Sequence, residues 1–192
     1  MPRTPDQNKA IKDKRRNQLM TVALRLFANA NYGNISVDQI AKAAKCSHGL
    51  FYHYFPAKED IFEALLKEQV LPSEAIPDYG RYLALPAKEG FAEFCKHLAS
   101  LRTYTPRNLC VVRIYMLYPL DHALTKYFPK FVKDHSLETF LKKMMAKLRQ
   151  EGVLVNGNEG ELATIATMLT VRLVQEPSVY RGDVLYSLFV KE

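Results

Sequence analysis

Strand-like alternation of apolar and polar residues is scarce in this sequence, and the signatures of the common enzyme classes are missing. It has no GxGxxG, no GxSxG and no HExxH, and no carboxylate pair stands out from ordinary surface charge. No catalytic activity, cofactor or metal site is therefore expected. Cysteine is sparse: Cys46, Cys95 and Cys110 form no CxxC and no Cys/His cluster, which argues against metal binding and leaves reduced, core-type thiols as the reading. Apolar runs stay well short of the roughly 18–20 residues that cross a bilayer, and the opening MPRTPDQNKAIKDKRRNQ lacks the apolar region of a signal peptide. A cytoplasmic protein without a membrane partner is expected.

What is present is ordinary globular material with a skewed charge. The 192 residues are 48% hydrophobic and 24% charged, enough for one sizeable core or for a small module joined to a larger one. The net charge is +7, yet residues 1–60 hold 10 of the 27 Lys and Arg against only 5 of the 20 Asp and Glu. That skew suits an N-terminal module that meets a polyanion, although a solvated basic tail would give the same count.

Helical periodicity fills the rest. Leu19, Ala23, Leu26, Phe27 and Ala30 recur at three- and four-residue steps within 9–31, and Asn31 and Gly33 close the segment. Ser36 precedes VDQIAKAAK with Gln39 three residues on, the pattern of a capping box. Ser47 can cap HGLFYHYF, Pro56 interrupts, and AKEDIFEALLKEQV starts a fourth helix. Between 71 and 86 the pattern weakens under Pro72, Pro77, Gly80 and Pro86, and further helices are expected at about 87–104, 107–118, 121–151 and 159–176 before a short apolar tail. The class is all-α.

A short helix, a tight turn and another short helix make a helix-turn-helix, with Val37, Ile40, Ala41 and Ala44 facing Leu50 or Phe51 and Tyr54. The stretch ISVDQIAKAAKCSHGLFYHYFPAKEDIF resembles the DNA-binding domain of TetR-family transcriptional regulators, over about residues 12–68. Lys45 stands where that family usually has a turn glycine, and Leu50 replaces a common Thr or Ala. The resemblance implies a bacterial, homodimeric DNA-binding regulator, most simply a ligand-responsive repressor on a palindromic operator. The alternative is an architectural or cell-division DNA-binding protein of the same fold with no small ligand. Residues 1–56 are read as the helix-turn-helix domain with a basic extension at 1–10. Residues 57–192 are read as a helical ligand-binding and dimerisation domain, with 57–70 as the connecting helix.

Candidate contacts to double-stranded DNA follow from position and chemistry. His48 and Gly49 open the recognition helix, with Ser47, Leu50 and His53 around them. Tyr52 and Tyr54 either reach phosphates with their hydroxyls or are simply buried. Ser36 is expected to cap its helix and donate to a phosphate, and Lys58, a cation in a first helical turn, makes sense beside a phosphate. In the larger domain Arg113 and Arg172 interrupt apolar helical runs; they pair with Glu93, Glu138 or Glu176, or they meet an anionic effector. His97, Tyr104, Met116 and Met168 are candidate lining residues of an effector cavity, or plain core. The stripe Leu162, Ile165, Leu169 and Leu173 is the expected dimer face, and the final helical segment is only about ten residues.

Overall fold

The first helix, α1 (Pro5–Asn29), starts on a proline whose missing N–H and fixed φ suit a first turn. Its second half buries Leu19, Met20, Ala23, Leu24, Phe27 and Ala28. The computed structural model describes residues 5–179 and 184–191. Two compact units divide the chain, Met1–Ser73 and Glu74–Glu192.

In the first unit α1 packs with α2 (Val37–Ala43) and α4 (Lys58–Leu65), and α2 packs with α3 (His48–Tyr54). The capping box expected at Ser36 is formed: the Gln39 amide donates to the Ser36 hydroxyl at 3.2 Å and the Ser36 amide to the Gln39 carboxamide at 2.8 Å. Ser47 caps α3 through the Leu50 amide. The turn between them is a Schellman motif, with Cys46 N–H donating to the Ala41 carbonyl and Lys45 N–H to that of Lys42. Lys45 occupies its left-handed position at φ 53°, where a side chain costs roughly 1 kcal/mol relative to glycine.

The aromatic centre of this unit is Phe27, Tyr32 and Phe62, with ring centroids 4.9–5.7 Å apart. After α4 the helix widens into a π-turn over Leu66–Val70, closed by Leu71 N–H on the Leu66 carbonyl. Arg16 grips Glu68 there with both guanidinium nitrogens, at 2.8 and 2.5 Å. The sequence reading ended this domain at residue 56 and counted 57–70 as a connector. In the structure those residues belong to the first unit, because Ile61, Phe62, Leu65 and Val70 are buried in it.

The second unit contains α5 (Tyr79–Ala84), α6 (Ala87–Ser100), α7 (Pro106–Leu117), α8 (His122–Tyr127), α9 (Pro129–Asp134), α10 (Leu137–Gln150), α11 (Glu159–Gln175) and α12 (Val184–Phe189). Its core stacks Tyr79 on Phe140 at 4.4 Å and sets Phe94 edge-on to Phe140 at 4.9 Å. Charges at the end of α10 close two neighbours: the Glu151 carboxylate accepts from Ala87 N–H at the start of α6, and the Lys147 ammonium donates to the Leu83 and Leu85 carbonyls at the end of α5.

Two sequence expectations are corrected here. The single helix expected at 121–151 is three, because Pro129 takes a first-turn position and Ser136 caps α10 through the Thr139 amide. The stretch 71–86, read as punctuation, contains α5, which Asp78 caps through the Arg81 amide. Beyond α11, a lone antiparallel bridge joins Leu154 to Val190. Phe189 buries against Phe91 with centroids 6.1 Å apart. Among the described residues no helix is long and apolar enough to cross a membrane.

Candidate nucleic-acid interface

The helix α3 divides its side chains cleanly. Phe51 and Phe55 are buried, and Arg16 lies over the Phe55 ring at 5.3 Å. Tyr52 is 51% exposed, with its ring edge-on to Phe51 at 5.5 Å. His53 is exposed and Tyr54 half-buried, their rings 5.1 Å apart. The first turn is open: a methyl added at Gly49 would meet nothing within 4 Å. Exposed His48 pairs through Nε2 with the Asp38 carboxylate of α2, which ties the two short helices together on the solvent side. Leu50 is half-buried in a crevice with Arg15, Gln18, Ala44 and Cys46. Ser36 is exposed; its oxygen accepts the capping bond, so its proton can be donated outward. Ser47, Gly49, Tyr52 and His53 thus share an accessible helix start and outer face.

Lys58 departs from the sequence expectation. Its ammonium turns back into the domain, donating to the Tyr32 and Ile35 carbonyls at 3.0 and 2.9 Å and sitting 4.1 Å from the centre of the Tyr32 ring. A cation in the first turn of α4 is satisfied by the loop between α1 and α2 rather than by a phosphate, while Tyr32 hydroxyl donates to Glu59 beside it at 2.8 Å. Removing this lysine leaves the Ile35 carbonyl without its ammonium donor and the Tyr32 carbonyl with only the Ile35 N–H, so Lys58→Met is expected to destabilise the first unit by about 1–3 kcal/mol. At temperatures where the variant stays folded, the salt dependence of DNA binding should match that of the unsubstituted protein. Thermal melting and a salt titration check both halves.

The residues proposed for an effector cavity have differing surroundings, and only His97 and Tyr104 among them are seen ring to ring. Arg113 donates to the Gln175 carbonyl at 2.7 Å and to that of Val174 at 3.4 Å, closing the C-terminal end of α11. Arg172 forms an exposed bidentate pair with Glu176, 2.7 Å on both arms. Of the two alternatives offered for these arginines, pairing within the protein is the one formed: Glu176, one of the expected partners, meets Arg172, and backbone carbonyls meet Arg113. Met116 is fully buried, while Met168 is 66% exposed on the outer side of α11. His97 on α6 lies against Tyr104, centroids 6.2 Å apart, and burial lowers its pKa to about 4, so the imidazole is neutral.

Two other features belong to the second unit. An open groove of about 560 Å³ runs between Leu101, Arg102 and Leu109 on one side and Gln175, Glu176 and Pro177 on the other. And α11 buries the small face Ala163, Ala166, Thr170 and Val174, which leaves Leu162, Ile165, Met168, Leu169 and Leu173 exposed or half-exposed. Val184 and Leu188 of α12 are exposed as well. Near α3, the sequence reading missed Arg15 and Gln18, whose carboxamide donates to the Ala44 carbonyl at 3.2 Å. Their spacing of four and one residues ahead of Leu19, the first buried position of α1, is the available signal.

A seven-residue helix held by a Schellman turn to a second capped helix, on an aromatic core, defines a helix-turn-helix unit, and the chain has a second, larger helical unit. Residues 19–65 match the family model of bacterial regulatory proteins, tetR family, about a quarter of the chain. Over 48 residues it is 46% identical to the uncharacterized HTH-type transcriptional regulator YuxN of Bacillus subtilis, a match that spans 25% of this chain and 16% of that protein's length. It is 25% identical over 170 residues to the nucleoid occlusion factor SlmA of Glaesserella parasuis, covering 80% of this chain and 81% of that one. A crystal structure of an HlyIIR mutant protein superposes with a TM-score of 0.70 at 17% identity, over 94% of this chain and 97% of the other, a likeness of fold.

Proposed function

We propose that the protein is a homodimeric repressor that places α3 in the major groove at each half of a two-fold operator and lets go when a small molecule binds the larger unit. The observation that carries the DNA reading is the open N-terminal turn of α3, where Ser47, His48 and Gly49 stand clear of the core with exposed Tyr52 and His53 behind them. Ser36 and Tyr52 supply hydroxyls to flanking phosphates, and His48, Leu50, His53 and Tyr54 face base edges or the sugar wall. One such helix makes few contacts, so specificity calls for two. The outward apolar side of α11 supplies the surface for a two-fold mate. For the effector, the groove between Leu101 and Pro177 replaces the arginine-lined cavity: its apolar walls would take a carbon skeleton, with Arg102 and Glu176 at the rim.

Selecting bound duplexes from a random pool tests this reading. Two inverted half-sites about 10–10.5 base pairs apart, or a multiple of that, are expected. The mass in solution should be twice the 22.0 kDa of the chain. Enrichment of a single half-site by a monomer would overturn the proposal.

The extended likeness to a nucleoid occlusion factor favours a second reading, a DNA-binding protein that acts without a small ligand. Under it, filling the groove by Leu109→Trp leaves the DNA complex and its response to candidate effectors unchanged. Under the repressor reading the same variant loses effector-induced release.

A further inference from the structure

We propose that the N-terminal half of α1 is a second DNA-contact element, in which Lys12 and Arg15, with Lys45 beside them, neutralise phosphates flanking the segment that α3 reads. This rests on the chain being a DNA-binding protein as proposed above, and it assigns contacts outside the helix-turn-helix itself.

The first observation is an exposed helical extension without a buried side. From Pro5 to Gln18 only Arg16 falls short of full exposure, and Leu19 is the first buried residue of α1. The extension is about 21 Å long at 1.5 Å per residue, close to six base-pair steps of 3.4 Å. Apart from Arg16, which lies over the Phe55 ring, none of its side chains is half-buried or buried, so packing gives little reason for its composition.

The second observation fixes which side faces DNA. Arg15 lines the crevice that holds Ala44 and Cys46 of the turn and Leu50 of α3, and Gln18 binds the Ala44 carbonyl. The Arg15 face of α1 therefore lies on the same side of the unit as the start of α3. Lys45 is exposed in the turn between Ala44 and Cys46, and its left-handed backbone sets it at that same edge.

The third is the segregation of charge around the helix. At 100° per residue Lys12 lies about 60° from Arg15, and Asn8 and Ile11 lie within about 40°, while Asp6 and Asp13 lie about 160–180° away. Arg16, about 100° round, is engaged by Glu68. The side continuous with α3 thus carries cations and no carboxylate, and both acids of the extension face away. Lys14 and Lys9 lie about 100° and 120° round, so what is sorted is the carboxylates, which are absent from the side in register with the recognition helix.

The test is the salt dependence of binding to an operator selected from a random pool and to a random 30-base-pair duplex, for the full chain and its Lys12→Gln/Arg15→Gln variant. Each phosphate contact adds about 0.9 to the slope of log K against log salt, so the double variant is expected to lose about 1.8 on both duplexes, with protection of phosphates outside the half-sites lost. Asp13→Asn, on the opposite side, is expected to leave the slope where it is. An unchanged slope and footprint in the double variant, with binding by the unsubstituted protein intact, would overturn the role of α1 alone. A D13N slope that rises as far as the double variant's falls would also overturn it, because net charge and not the face would then be responsible. If the unsubstituted protein bound neither duplex, the DNA reading would fall first and this inference with it.

Discussion

Placing glutamate at Ile165 and Met168 together is expected to keep the protein monomeric and to lower its affinity for a two-half-site operator by about 100-fold or more, since the second half-site contact becomes a separate event. Both positions are open in the structure, 47% and 66% exposed, so the substitution replaces no core packing within the chain. The new carboxylate at 168 would sit four residues before Arg172, a spacing that favours a helical ion pair. Helix content by circular dichroism should therefore be preserved while sedimentation shifts from twice the chain mass to once. A variant that still sediments as a dimer would remove α11 from the interface.

The largest effect on stability is expected from a single methyl group. A Cβ built at Gly90 would lie 2.0 Å from the Tyr82 carbonyl oxygen and 3.1 Å from its carbon, backbone atoms at the end of α5 that cannot rotate away. That backbone is held from behind, because Lys147 grips the Leu83 and Leu85 carbonyls and Tyr79 and Tyr82 are buried against Phe94 and Phe140. Gly90→Ala must therefore push α5 off α6, at about 3 kcal/mol or more. Urea denaturation should show the loss in its midpoint. Gly49→Ala gives the contrast: the added methyl meets nothing, and a change of under about 1 kcal/mol, toward greater stability, is expected. If Gly49→Ala is neutral for folding but weakens DNA binding, the glycine is there for close approach of the backbone to the duplex.

The helical class and the helix-turn-helix were legible in the sequence because they rest on local rules. Ser36 and Gln39 announce a capping box, Ser47 a second cap, and the spacing of Ile40, Ala41, Phe51 and Phe55 a shared core. Lys45 was legible only through the resemblance, as a departure from the family's usual turn glycine, and its φ of 53° is the left-handed conformation that such a glycine would take. What escaped depends on partners distant in the chain. The dipole reasoning about Lys58 assigned the right need, an acceptor for a cation, to the wrong supplier, since Tyr32 and Ile35 offer carbonyls that lie 26 and 23 residues away. Arg113 likewise finds its acceptors 61 and 62 residues on. α5 escaped because six residues are too few to show a period, and its burial comes from aromatic neighbours on α6, α7 and α10. The outward side of α11 was half legible: the stripe through Leu162, Ile165, Leu169 and Leu173 is real, but the alanine face that is buried looks unremarkable in a sequence.

The helix proposed to read DNA has seven residues, shorter than the dozen or so at which an isolated helix begins to hold in water. Its order is borrowed: Phe51 and Phe55 anchor it, Ser47 starts it and the turn at Lys45 fixes its entry. A peptide cut from residues 47–55 would be coil, and no fragment short of the α1–α4 assembly would retain the reading surface. Local melting of α3 ahead of the rest of the first unit is thereby suppressed, and its amide protons should exchange in step with those of Phe27 and Phe62. Sequence preference would then fade on heating in one cooperative step rather than by gradual fraying.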